Sequence, residues 1–294
     1  MRQHLSDARC WAMAAIVLSV PLGPGADWAR AQHSDILLTN IAGQTAVGAA
    51  IDIDGPAESF DLAARTFESI LRVGSAPPVP ADYEAAEPGV FALHAAGDAA
   101  VLAGLGASAL PAGAAASAAP IAFPLGSQAA SLYYWNGLGA VDFQPVVLAQ
   151  PGVEFAISPG SFGVTGAQGD LDDHPLLQVT GPGVPADGVY LSAARFSVAG
   201  LQPSEPIYLV MLVDALILGE DQGEAVEEAL AAFELGAANA VVAFAGGPTK
   251  DFAFFEEAVE WVELSVAVPE PGTSGLAVLA CLLVGRRRSG GTPT

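Results

Sequence analysis

The sequence predicts a mainly β protein, an antiparallel β-sandwich or jelly roll with one or two short helices. Short apolar or alternating runs recur along the chain between clusters of Gly, Pro, Asn and Asp, which is the pattern of strands joined by turns. Only one segment has a clear helical period, so alternating βα units are not predicted. The hydrophobic fraction is 52%, which provides enough apolar material for a buried core.

Strands are predicted along most of the chain. The runs on either side of Asn136-Gly137 give the strongest hairpin signal, because Asn-Gly accepts the positive φ of a type I′ turn. The stretch 107–119 is rich in Ala, Ser and Gly and is predicted to be a loop. The predicted strands are 36–39, 45–53, 68–73, 90–94, 132–135, 140–148, 154–158, 176–180, 189–198 and 206–213.

Helical periodicity appears near the end of the body. From Val226 onward, apolar residues recur at i, i+3, i+4 and i+7, and Gly236 follows as a C-cap, so a helix is predicted over 224–235. A second short helix is predicted over 251–261 and a closing strand over 262–268.

The N-terminus has the layout of a secretory signal peptide. Two arginines precede a 13-residue apolar run at 10–22, and Ala29 and Ala31 are the small residues of a cleavage site. A run this short, followed by Pro and Gly, does not span about 30 Å of hydrocarbon. We predict that residues 1–31 form a signal helix and that signal peptidase cleaves after Ala31.

Three features follow one another at the C-terminus. The motif Pro269-Glu270-Pro271 comes first, then the apolar segment 275–285, then Arg286-Arg287-Arg288. The apolar segment is short for a permanent anchor, and arginines on the cytoplasmic side fix its orientation. We predict a transient membrane hold by a tail over 269–294, which leaves 32–268 as a single β-sandwich domain.

This tail resembles the PEP-CTERM protein-sorting signal of Gram-negative bacteria, although Ser289 to Thr294 extend it beyond the arginines. The resemblance implies that an exosortase-like membrane transpeptidase recognises Pro269, Glu270 and Pro271 and removes the tail. It also implies export to the cell envelope, the cell surface or the extracellular matrix, where biofilm polysaccharide is a candidate partner.

The body resembles, more faintly, a family of secreted PEP-CTERM proteins, some members of which are repressed by a zinc-uptake regulator. This resemblance implies zinc homeostasis as a context and no known activity. The segments that carry it are 33–36, 132–137, 186–191 and 204–209.

The body is strongly acidic. The whole chain has a formal charge of −22, and six of its ten basic residues lie in or beside the two terminal segments, which also contain both cysteines, Cys10 and Cys281. Processing leaves 29 acidic and four basic residues, a net charge of −25. This charge excludes a nucleic-acid binder of the basic kind. It indicates a hydrated, soluble surface or, alternatively, cation binding.

Catalytic signatures are absent from the sequence. It has no P-loop, no His-Glu-x-x-His and no Gly-x-Ser-x-Gly motif, and processing removes both cysteines. We therefore predict that the protein is not an enzyme.

Histidines and carboxylates form the remaining candidate site. His33 and Asp35 are two residues apart and would point to one face of a strand. Asp172 and His174 form a second group, and His94 stands in or beside a strand. Imidazole with carboxylates suits zinc, and calcium is the other candidate ion. Alternatively, His94 is a core or strand-edge residue and the segment around Asp172 is a solvated turn.

Adjacent aromatic residues suggest a further alternative, a glycan-binding module. Tyr133, Tyr134 and Trp135 precede the Asn-Gly pair, but only Tyr133 and Trp135 can share a strand face. The alternative interpretation places both in the aromatic core.

Overall fold

The computed structural model describes residues 34–51, 59–74 and 82–267. The protein is mainly β, with 43% strand and 17% helix, as predicted. The strands are β1 (Ser34–Ile41), β2 (Gln44–Ile51), β3 (Ser59–Asp61), β4 (Thr66–Val73), β5 (Tyr83–Ala85), β6 (Val90–Ala92), β7 (Ala115–Ile121), β8 (Phe123–Leu125), β9 (Gln128–Ala130), β10 (Leu132–Trp135), β11 (Gln144–Pro145), β12 (Glu154–Ser158), β13 (Ser161–Val164), β14 (Leu171–Asp173), β15 (Leu176–Thr180), β16 (Gly188–Val198), β17 (Ile207–Val213), β18 (Val241–Ala243) and β19 (Thr249–Asp251). The helices are α1 (Ala99–Gly104), α2 (Val146–Ala149), α3 (Glu220–Glu234) and α4 (Ala253–Ser265).

A first hydrophobic core collects side chains from two sheets. The smaller sheet has the order β14-β6-β1-β2-β3. The larger sheet has the order β11-β10-β16-β17-β4-β5-β15-β12. Strand β7 also pairs with β16, and β13 pairs with β7. Alternation along the strands sends Ile36 and Leu38 of β1 and Leu209 and Met211 of β17 into this core.

The two longer helices cover the other face of the larger sheet. Val210 and Leu212 of β17 point away from the first core and join a second one, together with Val226 of α3 and Phe255 of α4. Strand β17 is therefore buried on both faces, which explains why Ile207–Val213 is a continuous apolar run.

Two strand pairs differ from the predicted antiparallel arrangement. Strand β1 pairs with β6 in parallel, and so does β4 with β17. The sequence signals were turns between consecutive strands, and such signals carry no information about pairing between distant ones.

The tight hairpin predicted at Asn136-Gly137 does not form. Strand β10 pairs with β11 across the loop 136–143, and α2 follows where the strand was predicted to continue. The Asn136 side chain instead accepts a hydrogen bond from the backbone N–H of Leu138 at 3.0 Å. A short polar side chain that bonds its own turn competes with the hairpin geometry.

Part of the predicted loop 107–119 is a strand. Strand β7 lies between β16 and β13, with Ala116 opposite Phe162 and Ala118 opposite Phe196. Small side chains leave room for these large neighbours, so the lack of bulky residues did not indicate a loop.

The predicted helices are both confirmed, with shifted ends. Helix α3 begins four residues before the predicted start, and α4 extends to Ser265, so the predicted strand 262–268 is wrong. Val262 lies on the buried face of α4 with Val259 and Phe255, which explains the continued helix. None of the helices within the described ranges is long and apolar enough to cross a membrane. The predicted segments 1–31 and 269–294 lie outside those ranges.

Candidate functional site

One end of the smaller sheet brings a histidine and three carboxylates together. In the register of β1, β6 and β14, Ile36 lies opposite Val90, which lies opposite Asp173. The next row contains Asp35 and His174 with Gly89 between them, and it points to the face away from the first core. We call Asp35, Glu87, Asp172 and His174 the His174 site.

Two of the carboxylates contact the same backbone amide. Asp35 is only 7% exposed, and its Oδ1 accepts a hydrogen bond from the N–H of Gly89 at 2.9 Å. The same N–H lies 3.1 Å from Oε2 of Glu87. The hydroxyl of Ser69 donates to the carbonyl of Glu87 at 2.6 Å, which ties this turn to β4. Both carboxylates are therefore held in position by the backbone around Gly89.

The missing side chain of Gly89 leaves a space between Asp35 and His174. A Cβ at this position would lie 2.8 Å from Oδ1 of Asp35, 2.8 Å from Nδ1 of His174 and 2.6 Å from its Cε1. These separations are too short for carbon, so only glycine fits without a shift of the neighbouring side chains.

The imidazole of His174 lies between two carboxylates. Its Nδ1 is 3.5 Å from Oε1 of Glu87, and its Nε2 is 3.6 Å from Oδ1 of Asp172. Asp172 and His174 are two residues apart, so their side chains point to the same face. The His174 side chain is 46% exposed, so solutes can reach the imidazole from outside.

The structure brings together three of the five predicted metal-ligating residues. Asp35, Asp172 and His174 meet, and His33 lies outside the described residues. The solvated-turn interpretation of the segment around Asp172 is wrong, because Leu171–Asp173 form β14. Asp172 points outward from this paired strand, whereas Leu171 lies in the first core.

His94 does not belong to the His174 site. It lies five residues beyond Gly89, about 17 Å along an extended chain. Its Nδ1 accepts hydrogen bonds from the N–H groups of Ala96 (3.2 Å) and Gly97 (2.8 Å), so it closes a local turn. Because Nδ1 is committed to this turn, we leave His94 out of the His174 site, and its sharing of an ion with the other histidines stays a prediction.

Glu87 was not predicted as a site residue from the sequence. It comes from the turn before β6, and no spacing rule links it to His174, which follows 87 residues later. The available signal was a carboxylate two residues before a glycine at the start of a strand.

A cluster of three carboxyl groups was also not predicted from the sequence. Glu68, Glu234 and Glu256 have carboxylate oxygens within 4.8 Å of one another, and Glu256 is only 3% exposed. We call these residues the Glu256 cluster; they come from β4, the end of α3 and the first turn of α4, and each makes further interactions. Like charges at this separation are stable only when protons are shared or a positive charge compensates.

The only lysine of the sequence neutralises a buried carboxylate. Asp214 is fully buried, with Nζ of Lys250 against its Oδ2, and its Oδ1 accepts a hydrogen bond from the N–H of Leu216 at 2.9 Å. Oδ2 of Asp187 lies 4.0 Å from the same Nζ. Burial raises the pKa of the nearby Tyr83, and the negative charges of Asp187 and Asp214 raise that pKa further.

The aromatic residues before Asn136 belong to the protein interior. Tyr133 and Trp135 share a face, as predicted, but both are buried in the second core. The Tyr133 hydroxyl donates to the carbonyl of Phe123 at 2.8 Å, and the two rings are 4.9 Å apart. This pair therefore offers no stacking surface for a sugar.

Comparison of the chain with protein-family models, with curated proteins and with solved structures gave no match. The function of the chain is therefore inferred from its own residues.

Proposed function

We propose that the chain is a non-enzymatic, exported protein of the cell envelope or extracellular matrix, and that its C-terminal segment is a PEP-CTERM-type sorting signal. The position of the folded elements supports this proposal. Strand β1 begins three residues after Ala31, and α4 ends four residues before Pro269. Removal of both terminal segments at these positions would cut no described strand or helix.

In this proposal, signal peptidase removes residues 1–31 and an exosortase-like enzyme cleaves at Pro269-Glu270-Pro271. The apolar segment 275–285 holds the chain in the membrane only until that second cleavage. The mature body is a β-sandwich whose two sheets enclose the first core, covered on one side by α3 and α4. Its net charge of −25 keeps it hydrated and soluble among matrix polysaccharides.

Intact mass measurement of the exported protein tests this proposal. The full chain is expressed in a Gram-negative bacterium that has a sorting enzyme of this type, and the protein is recovered from the envelope and the medium. We expect a chain that begins at Gln32 and lacks Arg286 to Arg288. Glu270→Ala should retain the tail and accumulate in the membrane fraction.

Pro293→Ala is the matched control, because it changes a proline of the same tail outside the motif. We expect it to be processed like the unmodified chain. Recovery of exported protein with Arg286 to Arg288 intact would show that the tail is not a cleaved signal.

A further inference from the structure

We propose that the His174 site binds one divalent transition-metal ion of the zinc type. Asp35, Glu87 and His174 are the ligands, and Asp172 orients the imidazole. This proposal does not depend on how the ends of the chain are processed.

Two of the three ligand atoms border the space over Gly89, and the third lies beside the imidazole. Oδ1 of Asp35 and Nδ1 of His174 each lie 2.8 Å from the position that a Cβ of Gly89 would take. Oε1 of Glu87 is 3.5 Å from the same Nδ1. Zinc binds carboxylate oxygen and imidazole nitrogen at about 2.0–2.2 Å, so these side chains would move towards a common point on coordination.

The donor types favour zinc over calcium. Calcium takes six to eight oxygen ligands, whereas zinc is bound by imidazole nitrogen together with carboxylate oxygen and completes four-coordination with water. The partly exposed imidazole leaves room for that water and for entry of the ion.

Asp172 has the position of an orienting carboxylate. A histidine that ligates a metal usually donates its other ring N–H to a carboxylate, which fixes the tautomer and the ring orientation. In the His174 site, Nδ1 faces the space over Gly89, while Nε2 lies 3.6 Å from Oδ1 of Asp172.

The site exists only in the folded chain. Asp35, Gly89 and His174 come from segments that are 54 and 85 residues apart in the sequence and meet through the pairing of β1, β6 and β14. An ion at this point would join the three strands, so binding should raise the midpoint of thermal unfolding.

Titration calorimetry of the purified full chain with zinc chloride at neutral pH tests the proposal. We expect saturable binding of one zinc ion at this site and a higher unfolding midpoint. His174→Gln, which removes the imidazole, should weaken zinc binding at least tenfold. Gly89→Ala should do the same, because the new Cβ fills the space while every ligand remains.

Two further variants make the result specific. His94→Asn is the control, because it removes a histidine that follows β6 and keeps a side-chain acceptor for the local turn; zinc binding should not change. If Gly89→Ala fails to fold, Glu87→Gln replaces it, because the half-exposed Glu87 side chain tolerates substitution.

Three outcomes would overturn the proposal. The first is no saturable binding at about 1 mM zinc, which corresponds to a negligible affinity. The second is binding that His174→Gln leaves unchanged, and loss of that binding in Glu256→Gln would assign the ion to the Glu256 cluster. The third is calcium binding that is as tight as zinc binding and that His174→Gln leaves unchanged.

Discussion

Replacing Lys250 by Met removes the charge that neutralises Asp214 and keeps most of the side-chain volume. The Asp214 carboxylate is fully buried and would retain the backbone N–H of Leu216 as a donor. A buried charge left without its partner costs about 3–5 kcal/mol. We expect Lys250→Met to lower the free energy of unfolding by this amount.

Replacing the acidic partner, Asp214, should lower the free energy of unfolding by less. Asp214→Asn removes the buried charge and keeps the acceptor for Leu216, while Lys250 is 31% exposed and lies 4.0 Å from Asp187. The expected loss is about 1.5–3 kcal/mol, the value of a hydrogen bond to a charged group. Combining Lys250→Met with Asp214→Asn should therefore be less damaging than Lys250→Met alone.

Urea unfolding monitored by circular dichroism measures these differences, with an unchanged m-value as the condition for comparing midpoints. Arg195→Met is the control, because it removes one positive charge from an exposed position and should change stability by no more than about 0.5 kcal/mol. The reasoning is refuted if Lys250→Met costs no more than Arg195→Met, or if the double substitution costs more than Lys250→Met.

Burial raises the pKa of all five tyrosines, with a large shift for Tyr190. Because the folded state then holds more protons than the unfolded state above pH 10, stability should fall as the pH rises beyond about 10. Phenolate absorbance should appear together with unfolding; ionisation well before unfolding would contradict this. Gly188→Ala should cost about 3 kcal/mol or more, because φ is +149° and the new Cβ would meet the carbonyl of Trp135. Gly43→Ala, at φ +85° in open space, should cost only about 1 kcal/mol, and equal losses in urea unfolding would rule out the backbone clash. Glu256→Gln should be neutral or stabilising by about 1 kcal/mol, because it removes a buried carboxyl group that must either share a proton with its neighbours or repel them; a loss above about 2 kcal/mol would contradict this.

Periodic segments of the fold were predictable from the sequence. The run that forms β17 and the apolar stripe of α3 carry their own signal, because one element buries a regularly spaced set of side chains. The loop 136–143 and strand β7 were not predictable in the same way. The side-chain hydrogen bond of Asn136 and the large partners of Ala116 and Ala118 decided those segments.

The candidate site also combines residues that the sequence indicates with residues that only strand pairing brings together. Asp172 and His174 could be grouped as candidate ligands from the sequence because they are two residues apart in the chain. The inclusion of Asp35 and Glu87 depends on β6 lying between β1 and β14, which no local pattern indicates. His94 is also a histidine that follows a strand of this sheet, but its Nδ1 closes a local turn.

The sequence by itself determined the mainly β class, the period of the longest elements and the acidity of the body, because composition and periodicity are local properties of the chain. Its terminal segments supplied the sorting hypothesis in the same local way. Only the tertiary structure decided which strands pair in parallel, which carboxylates surround His174 and which residue neutralises Asp214. These contacts join residues tens of positions apart, and their choice depends on how the apolar faces of all the sheets and helices are buried together.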